Sequence, residues 1–283
     1  MDAKVDYLSF TLMVDVRGAG DERAQGYAAV DALFAAFPSF ETIAQRLTHW
    51  QSGGARGHYG LSLFQPETFI AIRFGGHSNH ILVELSGTGC QFARDTQNLD
   101  ALLSESAHRL TRLDIAVDIP NGCSPAAFVG AGFNGRFKGR ATITSAEGET
   151  EYVGSMKSER FARVYRYAAP HPRAGVLRIE HVFRADYAKS AARTLVSEGL
   201  VNLVSRCGNS FAWQSPLWQP DQTTDGKVRA QRSDRHEPGR VRWLFQVCIP
   251  ALVKAERDGL LSIDELITRL DTLRGSTKAA ATA

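Results

Sequence analysis

Eight consecutive residues, Arg112-Leu113-Asp114-Ile115-Ala116-Val117-Asp118-Ile119, alternate between two kinds of side chain without a slip. A period of two predicts a β-strand, because successive side chains leave opposite faces of the pleat. One face carries Arg112, Asp114, Ala116 and Asp118, the other Leu113, Ile115, Val117 and Ile119. A strand covered on both sides would not carry two aspartates, so the sheet that holds it has one apolar face and one polar face. Two later segments repeat the pattern. In Arg163-Val164-Tyr165-Arg166-Tyr167, the residues Arg163, Tyr165 and Tyr167 share a face, and in Arg178-Ile179-Glu180, Arg178 and Glu180 do. As neighbours, these three strands gather three carboxylates, at least two arginines and two tyrosines on one sheet face.

Further strands are predicted over 6–14, 58–64, 68–74, 80–85, 140–145, 150–154 and 176–184, punctuated by glycine turns such as Gly75-Gly76 and Gly87. Helices are expected over 24–37, 40–50, 99–110 and 185–198, with a short one opening at Ser124-Pro125. Ser86-Gly87-Thr88-Gly89-Cys90 reads as a tight turn at a strand end. Near the C-terminus, 240–257 reads as a helix interrupted at Pro250, and Ser262 and Glu265 form a capping box opening another. No internal repeat shows in the sequence. Strands come in runs rather than alternating with helices, which predicts an α+β fold: a large, curved, mostly antiparallel sheet with flanking helices. We expect a catalytic domain over 1–199, a basic loop and helical region over 200–274, and a disordered tail over 275–283.

Composition removes several classes. No apolar run reaches the roughly 18 residues of a membrane span, and the N-terminus carries no apolar core or cleavage site of a secretory signal. The cysteines at 90, 123, 207 and 248 are far apart with no Cys-x-x-Cys pair, so they read as reduced thiols of a cytoplasmic protein. His77 and His80 have no third ligand near them in sequence, and no phosphate-binding glycine loop or dinucleotide fingerprint is present. The net charge is only +3, but it is unevenly spread. From Glu151 to Arg242 there are 16 Lys and Arg against 9 Asp and Glu, a local +7. A basic half on a near-neutral chain points to an anionic partner, nucleic acid first. Within it, Lys227, Arg229, Arg232, Arg235, Arg240 and Arg242 crowd a Gly- and Pro-containing loop suited to lying along phosphates.

Carboxylates set a few ångströms apart bind a cation, share a proton or pair with arginine. Oxygen donors of this kind suit Mg²⁺ or Mn²⁺. A tyrosine beside them can attack a phosphodiester while arginines stabilise the developing charge. The competing reading of the same residues is a solvent-facing sheet knitted by cross-strand Arg–Asp and Arg–Glu pairs.

Several segments together resemble one family. They are Val5-Asp6-Tyr7-Leu8-Ser9-Phe10, Val83-Glu84-Leu85-Ser86-Gly87-Thr88-Gly89-Cys90 and the strand from Arg112 to Asp118. After these come Thr150-Glu151-Tyr152-Val153-Gly154-Ser155-Met156-Lys157-Ser158, Arg160-Phe161-Ala162-Arg163-Val164-Tyr165 and Leu177-Arg178-Ile179-Glu180. Their order and spacing resemble the replication initiation factor family of plasmids, filamentous phages and conjugative transposons, over roughly residues 5–185. The resemblance implies a nicking-closing enzyme of the bacterial cytoplasm that cuts one strand of single-stranded or cruciform origin DNA, alongside a host helicase. It implies a tyrosine nucleophile, Tyr165 first and Tyr152 second, with Arg163 and Arg178 on phosphates. It implies a divalent metal, Mg²⁺ or Mn²⁺, with Asp114, Asp118 and Glu180 as metal-ligating or acid–base carboxylates. Family members often continue Tyr-Asp-Lys where this chain has Tyr165-Arg166-Tyr167, which leaves open whether Tyr165 or Tyr167 attacks. A non-catalytic DNA-binding regulator on the same scaffold is the alternative, and a module whose basic half binds an acidic protein is a third.

Overall fold

In the computed structural model, the described residues are 1–120, 122–130, 139–145, 148–211, 213, 215–219, 226–230, 256–257 and 262. The chain divides into two units, 1–231 and 232–283, and all the strands and helices named below belong to the first. Apart from residues 256, 257 and 262, the helices expected over 240–257 and from Ser262 on, the tail, and the basic run from Arg232 onward lie outside the described residues.

One open ten-stranded sheet forms the frame. Its strands are β1 (Asp2–Leu12), β2 (Gln51–Gly53), β3 (Leu61–Gln65), β4 (Ile70–Phe74), β5 (Ile81–Leu85), β6 (Leu110–Ile119), β7 (Arg140–Ser145), β8 (Gly148–Val153), β9 (Arg160–Arg166) and β10 (Leu177–Arg184). They lie in the order β2-β3-β4-β5-β1-β6-β10-β9-β8-β7, and every neighbouring pair is antiparallel. The helices are α1 (Glu22–Ala36), α2 (Pro38–Gln45), α3 (Gly87–Asp95), α4 (Leu99–Ser106), α5 (Pro125–Gly130) and α6 (Ala185–Phe211). The α+β class expected from the sequence is the one observed.

The alternation read in β6 decides its placement. Leu113, Ile115, Val117 and Ile119 are all buried against the helix-covered side, where α6 packs on β6 and β10. Each such side chain contributes about 1.5–3 kcal/mol by leaving water, so a charged residue at 115 would break the strand's attachment to the core. Phe10 of β1 meets Phe37 and Phe40 on the same side, with ring centroids 4.7 and 6.2 Å apart.

Outward from the central β1–β6 pair, each half of the sheet reads first, fifth, fourth, third and second strand of its own segment. Each half also places helices after its first and last strands. The molecule therefore contains a topological repeat, where the sequence shows none. The repeat survives in connectivity and facing, not in residue identity.

Two local expectations are corrected. The segment 86–90 is not a strand-end turn; Gly87 and Gly89 sit inside α3. They are glycines because a Cβ at 87 would come within 2.9 Å of Asp6 and one at 89 within 2.9 Å of Ile70. The helix expected over 40–50 ends at Gln45, and Gln51–Gly53 then pairs with β3. The helix opening at Ala185 is interrupted at Gly199 as expected (φ 84°, a left-handed value that suits glycine), and a second helical stretch follows to Phe211.

Candidate nucleic-acid interface

Strand register fixes the polar face of the sheet. Asp118 lies opposite Arg178, and Ala116 opposite Glu180. Glu180 in turn lies opposite Arg163, and Arg178 opposite Tyr165. Tyr152 of β8 is opposite Arg163. So all seven residues singled out from the sequence, Asp114, Asp118, Tyr152, Arg163, Tyr165, Arg178 and Glu180, stand on one face of four adjacent strands.

Their pairing is specific. Arg112 donates two hydrogen bonds to Asp114, at 2.8 and 2.5 Å. Arg178 donates two to Asp118, both at 2.7 Å, and Arg173 adds a third at 2.7 Å. Arg178 also reaches Asp6 at 3.2 Å. Arg163 donates to Glu180, and the Tyr165 hydroxyl donates to the other Glu180 oxygen at 2.5 Å. The carboxylates are buried, at 1%, 7% and 1% side-chain exposure for Asp114, Asp118 and Glu180. Arg–Asp and Arg–Glu pairs thus knit this face, though the carboxylates lie beneath it rather than in solvent. Arg178 is buried at 6% side-chain exposure, whereas Arg163 keeps 35% and Arg173 45%. The guanidiniums able to meet a phosphate from outside include Arg163 and Arg173.

Electrostatics follow from this burial. Desolvation raises the pKa of Glu180, with Arg163 opposing it, and the same balance with Arg112 raises that of Asp114. Burial and then the negative charge of Glu180 hold the Tyr165 phenol well above an ordinary tyrosine. Tyr165 therefore keeps its proton at rest, hydrogen-bonded to a carboxylate with raised proton affinity.

The three carboxylates do not fit a divalent cation as arranged. Each already has a guanidinium partner, and among the described residues no three His, Cys, Asp or Glu side chains come together in a metal-binding group.

Beside Tyr165 lies a cavity of about 750 Å³ lined by Tyr152, Arg163, Tyr165, Tyr167, His171 and neighbours in 145–150 and 166–170. Tyr167 meets Tyr165 edge-on, centroids 5.5 Å apart, and stacks on His171 at 4.0 Å and 7°. Sequence reasoning misses His171 and Arg173, whose loop carries no period. It also misses a second constellation on the same face. There, Tyr7 donates to Glu84 at 2.5 Å, Arg73 pairs with the same carboxylate, and Arg112 lies 4.4 Å from the Tyr7 ring centroid. The signal that could have found it is Glu84, a lone charge in the apolar run Ile81–Leu85.

A single open antiparallel sheet, one face apolar under helices and the other set with arginines, tyrosines and buried carboxylates, defines the class. Among solved structures, a rolling circle replication initiator protein from Geobacillus stearothermophilus matches with a TM-score of 0.52 and 18% sequence identity, over 82% of this chain and 91% of that one. The likeness is one of fold. No family model and no curated protein matches the chain. No helix among the described residues is long and apolar enough to cross a membrane.

Proposed function

We propose that this protein initiates rolling-circle replication by nicking one strand of origin DNA, with Tyr165 as nucleophile. The observation that carries the reading is the Tyr165–Glu180 hydrogen bond at the edge of a 750 Å³ cavity beside Arg163. The phenol oxygen attacks the phosphorus as its proton passes to Glu180, whose burial raises its affinity for that proton. Arg163 is partly exposed and lies next to the reacting oxygen, suited to the charge that builds on the phosphoryl oxygens. The bond from phosphorus to the 3′ oxygen breaks, that oxygen takes a proton from solvent water, and the products are a 3′-OH primer and a 5′-phosphotyrosine. Arg178, held by Asp118, lies 5.1 Å from the Tyr167 ring centroid and supports that wall. No step runs through a metal ion. The initiator likeness in fold and the local +7 charge favour DNA over an acidic protein as the partner.

The test is a nicking assay on supercoiled plasmids carrying the DNA that flanks the coding region. The expected product is a relaxed circle with protein attached to the 5′ end through the peptide containing Tyr165. Salt-sensitive binding with no covalent product would overturn this reading in favour of a non-catalytic regulator.

A further inference from the structure

The cavity next to Tyr165 is larger than a phosphodiester requires, and three tyrosines and a histidine are among the residues that line it. We propose that it holds one unstacked base of the single strand beside the phosphodiester that is cut, against the wall formed by Tyr167 and His171. This rests on the nicking reading only for which phosphate lies next door.

Tyr152, Tyr165, Tyr167 and His171 all line one space. Tyr152 comes from β8, and Tyr165 from β9, so two of these walls are anchored in the sheet. His171 is placed by its own loop: its main-chain N–H donates to Ala168 at 3.0 Å, and the Arg173 N–H donates to its Nδ1 at 3.0 Å. With Nδ1 accepting, the neutral ring carries its proton on Nε2, leaving a donor for a base carbonyl. The parallel 4.0 Å stack on Tyr167 fixes the plane of an otherwise exposed imidazole. Glu149 on the wall supplies an acceptor.

Aromatic platforms next to arginines are how proteins hold single strands, since every base has a π face and every linkage a charge. A base still stacked in a duplex cannot enter such a recess without leaving its neighbours. Arg163 and Arg166 line the same cavity, which places cations beside the phosphates that flank an inserted base.

The probe is a single-stranded oligonucleotide of about 12 nucleotides bearing 5-iodouracil at successive positions, irradiated in complex with the full chain. The expected crosslink maps to the peptide containing Tyr167 and His171, and the same sequence as a duplex does not give it. His171→Ala should weaken binding of the single strand roughly 5- to 100-fold, the effect of losing one stacked base, and His171→Phe should restore most of it. Crosslinks confined to other peptides, or His171→Ala binding as wild type does, would overturn the pocket. A crosslink at Tyr167 or His171 without any 5′-linked adduct would leave the pocket standing and sink the nicking reading. An adduct without the crosslink would do the reverse.

Discussion

The two halves of the sheet carry the same kind of constellation in different surroundings. In the half built from β1–β5, Tyr7 donates to Glu84 and Arg73 pairs with that carboxylate. In the half built from β6–β10, Tyr165 donates to Glu180 and Arg163 pairs with it. Each glutamate is on the fifth strand of its half, next to the central pair. The differences are in what surrounds them. Glu180 keeps only 1% of its side-chain surface and Glu84 keeps 23%. Burial raises the pKa of Glu180, whereas hydrogen bonds from Tyr7 and Arg73 outweigh desolvation at Glu84 and lower it. Tyr165 borders a cavity on the polar face. The first half's cavity, about 740 Å³, lies on the helix side, lined by Tyr27, Phe34 and Trp50, while Arg112 covers the Tyr7 ring. A tyrosine–glutamate hydrogen bond alone is thus a way to knit strands. On the proposed reading it becomes chemistry where the carboxylate is desolvated and the phenol meets open space.

The largest effect expected separates the two tyrosines outright. Tyr165→Phe should abolish the covalent DNA adduct while leaving DNA binding within a few fold, because the ring stays and only the attacking oxygen goes. Tyr7→Phe should keep the adduct. Reversed results, read on a denaturing gel of protein–DNA product, would exchange the roles of the halves.

The glutamates come next. Glu180→Gln keeps the shape but cannot take a proton, and should slow adduct formation by about 10²-fold or more, the usual size of a general-base contribution. Glu84→Gln should change it by only a few fold. Glu180 must be ionised to accept the proton, so the wild-type rate should fall as pH drops through its raised pKa. The acid limb then lies above the ordinary glutamate range, near 4.3. A limb at or below that range would show that another group takes the proton.

Cation binding tests the pairing itself. With Arg163 on Glu180 and Arg73 on Glu84, neither of these carboxylates is free for a cation. Mn²⁺ followed by electron paramagnetic resonance should bind the wild type weakly. Arg163→Gln releases Glu180, and should tighten Mn²⁺ binding about tenfold, the equivalent of roughly 1.4 kcal/mol. Stoichiometric micromolar binding to the wild type would mean that the cation displaces arginine from its carboxylate.

The second half is the more legible in sequence, for a physical reason. β6 and the segments 163–167 and 178–180 alternate cleanly, so a period of two is enough to put Asp114 with Asp118, Arg163 with Tyr165, and Arg178 with Glu180 on shared strand faces. That the three strands are neighbours does not follow from the period; the register supplies it. The pairing is not legible either: period fixes a face but does not tell whether a buried carboxylate will meet a cation or a guanidinium. In the first half, Tyr7 and Glu84 lie on strands 77 residues apart in sequence, and only the β1–β5 register, with Ser9 opposite Glu84, brings them together. In α3, glycines serve close approach to Asp6 and Ile70, a long-range demand that a local reading mistakes for a turn. His171 sits in a loop without a period, placed by hydrogen bonds to Ala168 and Arg173 and by its stack on Tyr167.

The smallest effect expected is on stability, and it tests whether Tyr7 is structural. Its hydroxyl donates to a glutamate that keeps some contact with water, and its ring lies under the Arg112 guanidinium. Tyr7→Phe retains the ring and the cation–π contact but removes the hydrogen bond. Glu84 keeps Arg73 and solvent as partners, so no buried charge is orphaned. The cost should be about 1 kcal/mol, a typical net hydrogen bond, seen as a lower urea midpoint with an unchanged slope. Tyr7→Leu should cost more, since it also removes the aromatic face under Arg112. A Tyr7→Phe protein as stable as wild type but slow to form adduct would make the first half part of the reaction, and the comparison between the halves would have to be redrawn as two working sites.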